Sequence, residues 1–235
     1  MSRNVLKIFA CISMLIDHTG YILFPELNIL RYIGRLAMPI FAFFIGEGCL
    51  HTKNTKKYFT RVFLLGIVCQ SFYTGEALIT GYGNPFYLNI LLTFSCSILL
   101  CSALRKILEK KDKKQKFSAS VLLGGLLLAF GILTFVNKKG IIPIEFDYGF
   151  PGILLPVFAT VTKNKKQKML VFSSGLVLCV FLLNYPDVLW SICAVLSLIP
   201  LWFYNGKPGR KNLTLAFYLF YPLHLAVLYT ISFFL

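Results

Sequence analysis

Residues 5–24 read VLKIFACISMLIDHTGYILF, a twenty-residue apolar segment that carries an aspartate and a histidine side by side. An α-helix rises about 1.5 Å per residue, so roughly twenty apolar residues cross the hydrocarbon core of a bilayer, which is about 30 Å thick. The segment therefore predicts a transmembrane helix with Asp17 and His18 at membrane depth. Ionisable side chains are costly there unless they pair or face a polar cavity, so both are candidates for a functional site.

The whole chain has the composition of an integral membrane protein. Its 235 residues are 57% hydrophobic and only 14% charged, and the mean hydropathy is +0.73. Such a composition excludes a soluble globular domain. We expect one all-α domain over residues 1–235, a bundle of about nine transmembrane helices. The predicted spans are 5–24, 31–51, 59–80, 86–105, 117–136, 147–162, 168–184, 186–204 and 213–234.

The sixth span is the weakest, because Gly149, Pro151, Gly152 and Pro156 interrupt it. A half-helix or a re-entrant segment is an open alternative there, which would leave eight crossings.

The distribution of basic residues predicts the orientation. If the N-terminus is cytoplasmic, nine crossings place every lysine and arginine on the cytoplasmic side except Arg31, Arg35, Lys138 and Lys139. This asymmetry follows the positive-inside rule and favours a multi-pass protein of the plasma membrane. The net charge of +15 is then a consequence of topology and of contact with membrane lipids, and nucleic acid is not an expected partner.

Lys7 and His18 are predicted to share one face of the first helix. They are eleven residues apart, and eleven steps of about 100° return almost to the same direction, roughly 16 Å along the axis. Lys7 suits a phosphate-bearing donor, and His18 suits a base. A snorkelling lysine and a structural histidine are the alternatives. Asp17 points about 100° away from His18, so we expect it to face another neighbour, and an arginine is the obvious partner.

The second span, RYIGRLAMPIFAFFIGEG, supplies two such arginines. Arg31 and Arg35 lie one turn apart near its outer end, and Glu47 lies towards its inner end. The arginines either pair with Asp17 or Glu26, or present their guanidinium groups to a substrate.

The last span, FYLFYPLHLAVL over residues 217–228, places His224 one turn after Tyr221 and beside Pro222. His224 is predicted either to hydrogen-bond an acyl or acceptor group or only to tie two helices together. The side chains Asp17, His18, Glu47 and His224 show no recognised ligand spacing, so no metal site is expected.

Five ordered blocks of this sequence resemble the TraX family of multispanning proteins: MLIDHTGYI, RYIGRLAMPIFAFFIGEGCLHTKNTKKYFTRVFLLG, LNILLTF, DYGFPGILLPVF and FYLFYPLHLAVL. The resemblance extends over essentially the whole chain. TraX is known for acetylating the N-terminus of conjugative pilin, and its family is related to the membrane acyltransferase 3 proteins.

The resemblance implies a mechanism as well. Acyltransferase 3 proteins carry a basic residue, ten intervening positions and a histidine in the first span, as Lys7 and His18 do here. It implies that His18 is catalytic and that Lys7 contacts a cytoplasmic acyl-CoA donor, without any permanently bound cofactor. The arginines of the second span read R-x-x-x-R, which departs from the R-x-x-R of that superfamily, so no donor role is carried over to them.

The sequence thus predicts a membrane-embedded acyltransferase that moves an acetyl or other short acyl group from acyl-CoA to a pilin N-terminus, an envelope glycan or a peptide. His18 is expected to act as a base or as an acyl carrier. Arg35 and His224 are expected to position the acceptor or polarise the thioester carbonyl. Supporting roles are expected for Asp17, Arg31, Glu47 and Tyr221.

Two other classes of protein remain open alternatives. A transporter or flippase also buries charged residues along a cavity, and a non-catalytic assembly factor for pili or another envelope machine needs the helices but not His18.

Overall fold

The chain folds almost entirely into helices. A computed structural model describes residues 1–81, 83–184, 187–209 and 211–234. The elements in chain order are α1 Arg3–Ile22, α2 Asn28–Gly34, α3 Ala37–His51, α4 Thr55–Thr80, β1 Tyr87–Leu88, α5 Ile90–Glu109, α6 Lys113–Lys138, β2 Glu145–Phe146, α7 Gly149–Phe158, α8 Lys165–Asn184, α9 Val188–Leu196, α10 Leu198–Trp202 and α11 Thr214–Phe234.

Six helical segments within the described residues are long and apolar enough to cross a membrane. They are Arg3–Ile22, Asn28–His51, Thr55–Thr80, Ile90–Glu109, Lys113–Lys138 and Thr214–Phe234, and the shorter apolar helices are Gly149–Phe158 and Val188–Trp202. A helix lies in each of the nine predicted segments. The all-helical membrane fold is therefore confirmed, whereas the number of crossings and the side of the N-terminus stay predictions.

Two segments differ in detail from the predicted spans. The second is divided at residues 35 and 36, between α2 and α3. The sixth is only the ten-residue helix α7, with Pro156 inside it. At a rise of 1.5 Å per residue, α7 extends about 15 Å, which is half of the bilayer core. The length of α7 matches a half-helix, one of the alternatives that the interrupting glycines and prolines indicated for the sixth span.

The chain divides into two compact units, Met1–Phe41 with Leu176–Leu235 and Ala42–Gly175. We call them the terminal unit and the central unit. The prediction of one domain over 1–235 is not tested by this division.

In the terminal unit, α1 packs between α2 and α11, and α2 also contacts α9. The α1–α2 contact is close at Gly20, where an added Cβ would lie 2.7 Å from Leu30 Cβ. The start of the chain is fixed by backbone hydrogen bonds to the segment before α11, since Arg3 N donates to Lys207 O over 2.8 Å. The first and last helices are thereby held side by side.

In the central unit, α5 packs against α4, α6 and α7. The strands β1 and β2 form a two-residue parallel pair, in which Leu88 is opposite Phe146. Phe146 packs with Leu100 and Ile153 in a buried apolar cluster. Asn89 begins α5, where its side chain accepts hydrogen bonds from the backbone of the first turn, as an N-cap residue does.

Candidate functional site

The two membrane-embedded histidines lie against each other in the terminal unit. His18 of α1 and His224 of α11 are 2.6 Å apart between Nδ1 of His18 and Nε2 of His224. Their ring planes differ by only 5°, with the centroids 4.9 Å apart. His224 is buried, and the Tyr221 ring packs on both histidines at centroid distances of 5.9 Å and 5.5 Å. The sequence placed each residue in the membrane but did not predict that they form a pair.

A second hydrogen bond fixes the proton positions of this pair. Nδ1 of His224 lies 2.7 Å from the carbonyl oxygen of Phe220, and a carbonyl only accepts, so this nitrogen carries a proton. In a neutral ring Nε2 of His224 is then the acceptor, and Nδ1 of His18 must donate to it. Nε2 of His18 is left with the lone pair. The arrangement leaves one basic nitrogen on His18, oriented through a chain of two hydrogen bonds.

Asp17 faces α2 and not His18. Its carboxylate accepts from Nη1 of Arg31 over 2.7 Å and from Nη2 of Arg35 over 2.9 Å. The predicted pairing of Asp17 with an arginine is therefore confirmed, and both arginines take part. The pairing requires a glycine at position 34, because an added Cβ there would overlap the Asp17 carboxylate. Asp17 and His18 are adjacent in sequence but contact different neighbouring helices, which agrees with the turn of about 100° between successive helical residues.

Aromatic rings cover the faces of the two guanidinium groups. Arg35 lies 4.3 Å from the ring centroid of Trp190 in α9, and Arg31 lies 5.0 Å from that of Tyr21 in α1. Such cation–π contacts strengthen when they are shielded from water. Trp190 was not predicted to belong to the site, because no spacing within the sequence relates it to Arg35.

Lys7 also faces the last helix. Its Nζ lies 5.4 Å from the ring centroid of Phe217, which precedes Tyr221 by one turn of α11. Lys7 and His18 thus contact the same neighbouring helix, which confirms the common face predicted from their spacing. A donor-binding role for Lys7 stays a prediction.

Glu47 belongs to the central unit and pairs there with Lys168, which is buried. A second contact joins Glu47 Oε2 to Nε2 of His51 over 3.4 Å. The predicted supporting role of Glu47 stays a prediction, and its partner Lys168 was not anticipated. Among the described residues, no group of three or more histidines, cysteines or acidic residues is arranged to hold a metal.

The apolar helices and the buried polar site define the class of this molecule, a multi-pass membrane protein with a histidine pair and an arginine–aspartate cluster between its helices. The chain belongs to the TraX family, whose model, described as TraX protein, matches residues 2–232.

Two relatives illustrate the match. A probable fimbrial assembly protein FimC, serogroup H1, of Dichelobacter nodosus is 30% identical over an alignment of 258 positions, gaps included, which covers 100% of both chains. An uncharacterised protein of Rickettsia prowazekii is 43% identical over 72 residues, which cover 31% of this chain and 27% of the relative. No solved structure matches the chain.

Proposed function

We propose that this protein is an acyltransferase of the plasma membrane, which transfers an acetyl or other short acyl group from cytoplasmic acyl-CoA to an amine or hydroxyl acceptor. Pilin N-termini, envelope glycans and peptides are the acceptor classes. The proposal rests on one observation above all, the lone pair that the hydrogen bonds of His18 and His224 leave on Nε2 of His18. Membership of the TraX family supports it.

The proposed reaction needs one base. The acceptor nitrogen or oxygen attacks the thioester carbonyl carbon, and Nε2 of His18 takes the proton that the acceptor loses. The tetrahedral intermediate then collapses, the carbon–sulfur bond breaks, and the thiolate of CoA leaves. His18 returns the proton to this sulfur, so the products are the acylated acceptor and the free thiol of CoA, and His18 ends as it began.

Other residues of the terminal unit position these groups. His224 holds the imidazole of His18 by accepting from Nδ1, and Tyr221 packs on both rings. Lys7 lies on the same side of α1, about three turns before His18, where its ammonium suits the phosphates of CoA. The flexible pantetheine arm of the donor would run between these two residues along the contact of α1 with α11.

The decisive experiment uses the full chain purified in detergent with radiolabelled acetyl-CoA. Wild type is compared with His18→Ala and Lys7→Ala for bound donor, thioester hydrolysis and label transferred to envelope extracts. We expect His18→Ala to bind donor without turnover and Lys7→Ala to bind donor weakly. His224→Gln is expected to retain part of the turnover, because its amide oxygen can accept from Nδ1 of His18.

His51→Ala is the matched control, since this histidine ends α3 in the central unit and its side chain is 68% exposed. Turnover should be unchanged in this variant. A folded wild type that neither binds nor turns over acyl-CoA would end the acyltransferase proposal.

A non-catalytic role in pilus assembly is the second candidate. It is favoured by the full-length match to the relative from Dichelobacter nodosus that is named a probable fimbrial assembly protein. In this case pili would form normally in cells that carry His18→Ala at wild-type expression. Loss of pili only when the whole protein is absent would support assembly over catalysis.

A further inference from the structure

We propose that Arg31, rather than Arg35, binds the carbonyl oxygen of the acyl group and stabilises the negative charge that develops on it during transfer. This inference rests on the proposed acyl transfer and names the residue that acts on the oxyanion. It depends on how the two guanidinium groups differ in their remaining hydrogen-bonding capacity.

Arg35 is held on several sides. Nη2 donates to Asp17, Nε donates to the carbonyl oxygen of Arg31 over 3.2 Å, and the guanidinium carbon lies 4.3 Å from the ring centroid of Trp190. Only 9% of its side chain is exposed. These contacts hold the Arg35 guanidinium in place, and it in turn fixes the position of Asp17 relative to α2. Arg35 is therefore a positioning residue.

The Nη2 and Nε side of the Arg31 guanidinium, here called its open edge, is not used by the contacts with Asp17. Both of its hydrogen bonds to described residues leave from Nη1, one to the Asp17 carboxylate and one to the Asp17 backbone carbonyl. A guanidinium carries five N–H donors, so those on Nη2 and Nε remain for a ligand. The side chain is 22% exposed, which leaves it accessible while Asp17 and the Tyr21 ring restrict its orientation.

Arg31 contacts the turn of α1 that carries His18. Nη1 of Arg31 is 3.4 Å from the carbonyl oxygen of Asp17, in the peptide bond that leads into His18. The ring that Arg31 covers belongs to Tyr21, which lies three residues after His18 and is its neighbour on the surface of α1. The guanidinium thus contacts Asp17 and Tyr21, one position before and three positions after His18, which places Arg31 at the turn of α1 that also carries the proposed base.

The charge of the cluster also suits an oxyanion. Arg31 and Arg35 both form ion pairs with the carboxylate of Asp17, so two guanidinium groups share its one negative charge. When the acceptor adds to the thioester, the electron pair of the C=O bond moves onto oxygen, and this oxygen becomes the anion that Arg31 would bind. The pair returns to the carbonyl as the carbon–sulfur bond breaks. An oriented donor at such a position contributes far more in a dry site than in water.

The test is the separation of turnover from donor binding in Arg31→Lys and Arg31→Gln, with the full chain in detergent and acetyl-CoA as donor. Arg31→Lys keeps the charge beside Asp17 and hence the fold, but its compact ammonium has no second edge, so we expect turnover to fall by about tenfold or more. Arg31→Gln should lose about 10²–10³-fold, the usual loss for an oxyanion donor. The affinity for free CoA thiol, which has no acyl carbonyl, should be unchanged in both variants.

The comparison variant is Arg35→Lys, whose main expected defect is a lower melting temperature. Wild-type turnover in folded Arg31→Lys, combined with loss of turnover in His18→Ala, would overturn the role of Arg31 and leave the acyltransferase proposal intact. Equal weakening of acetyl-CoA and CoA thiol binding would likewise overturn it, because Arg31 would then act on a part of the donor other than the acyl carbonyl. Absence of turnover in folded wild type would remove both proposals together.

Discussion

Replacing Asp17 by asparagine tests the arginine–aspartate cluster most directly. The change removes one negative charge and replaces one carboxylate oxygen by a donor, while the side-chain volume stays the same. Asp17 accepts two short charge-assisted hydrogen bonds, at 2.7 Å and 2.9 Å, and its side chain is only 13% exposed. Asparagine can keep one of them in weakened form, and the second guanidinium then faces an amide NH₂.

The expected loss of stability follows from these contacts. A hydrogen bond to a charged group contributes about 1.5–3 kcal/mol, and removing one partner of a buried ion pair costs about 3–5 kcal/mol. Because the amide oxygen still accepts one bond, we expect the free energy of unfolding to fall by about 3 kcal/mol. The double variant Asp17→Asn with Arg35→Gln should lose less than the sum of the single variants, because it removes one of the stranded charges.

The assay is reversible unfolding in mixed detergent micelles, followed by tryptophan fluorescence. Trp190, one of the two tryptophans of the chain, packs on Arg35 and therefore contributes a signal from the cluster. The control is Asp112→Asn, since Asp112 caps α6 by accepting from Lys114 N and asparagine caps a helix equally well. A loss below about 0.5 kcal/mol for Asp17→Asn, within the range of ordinary surface changes, would refute the view that the cluster holds α1 and α2 together.

Two further substitutions probe close packing and the central unit. Gly34→Ala should lower both the melting temperature and the rate of acyl transfer, because the added Cβ would displace Asp17. Gly131→Ala is the control, since nothing lies within 4 Å of its added Cβ. In thermal melts it should be neutral or stabilising by up to about 1 kcal/mol. Glu47→Gln should lower the free energy of unfolding by about 3–5 kcal/mol, because it leaves the buried ammonium of Lys168 without its carboxylate. Adding Lys168→Met should restore most of this stability in the same unfolding assay. A double variant as unstable as Glu47→Gln would contradict the pairing.

The helices could be predicted from the sequence because the signal for them is local. Length and apolar composition alone place a helix in each expected segment, since a helix satisfies its backbone hydrogen bonds within one segment. The pairing of Asp17 with an arginine could also be predicted from the sequence, because the helical period turns Asp17 away from His18 and Arg31 and Arg35 lie on the next span. The break between α2 and α3 was not predicted, although α2 ends at Gly34, because a single glycine within an apolar run does not by itself end a helix.

The histidine pair could not be predicted, because it joins residues 206 positions apart on the first and last helices. No spacing within one helix encodes which distant helix packs beside it. The same holds for Trp190 beneath Arg35 and for Lys168 beside Glu47. Neither Trp190 nor Lys168 carries a sequence signal for the side chain that it contacts, and only the packing of the helices shows these contacts.

Asp17 and His18 are adjacent in the sequence, but in the fold they contact different helices. Successive residues of a helix point about 100° apart, so Asp17 binds α2 through Arg31 while His18 binds α11 through His224. One turn of α1 is thereby fixed from two sides at the same depth. The proposed transfer needs a base at the attacking acceptor and an anion-stabilising group at the carbonyl oxygen. Two adjacent residues with different neighbours provide that arrangement, whereas an aspartate that oriented the histidine itself would leave Arg31 without its anchor.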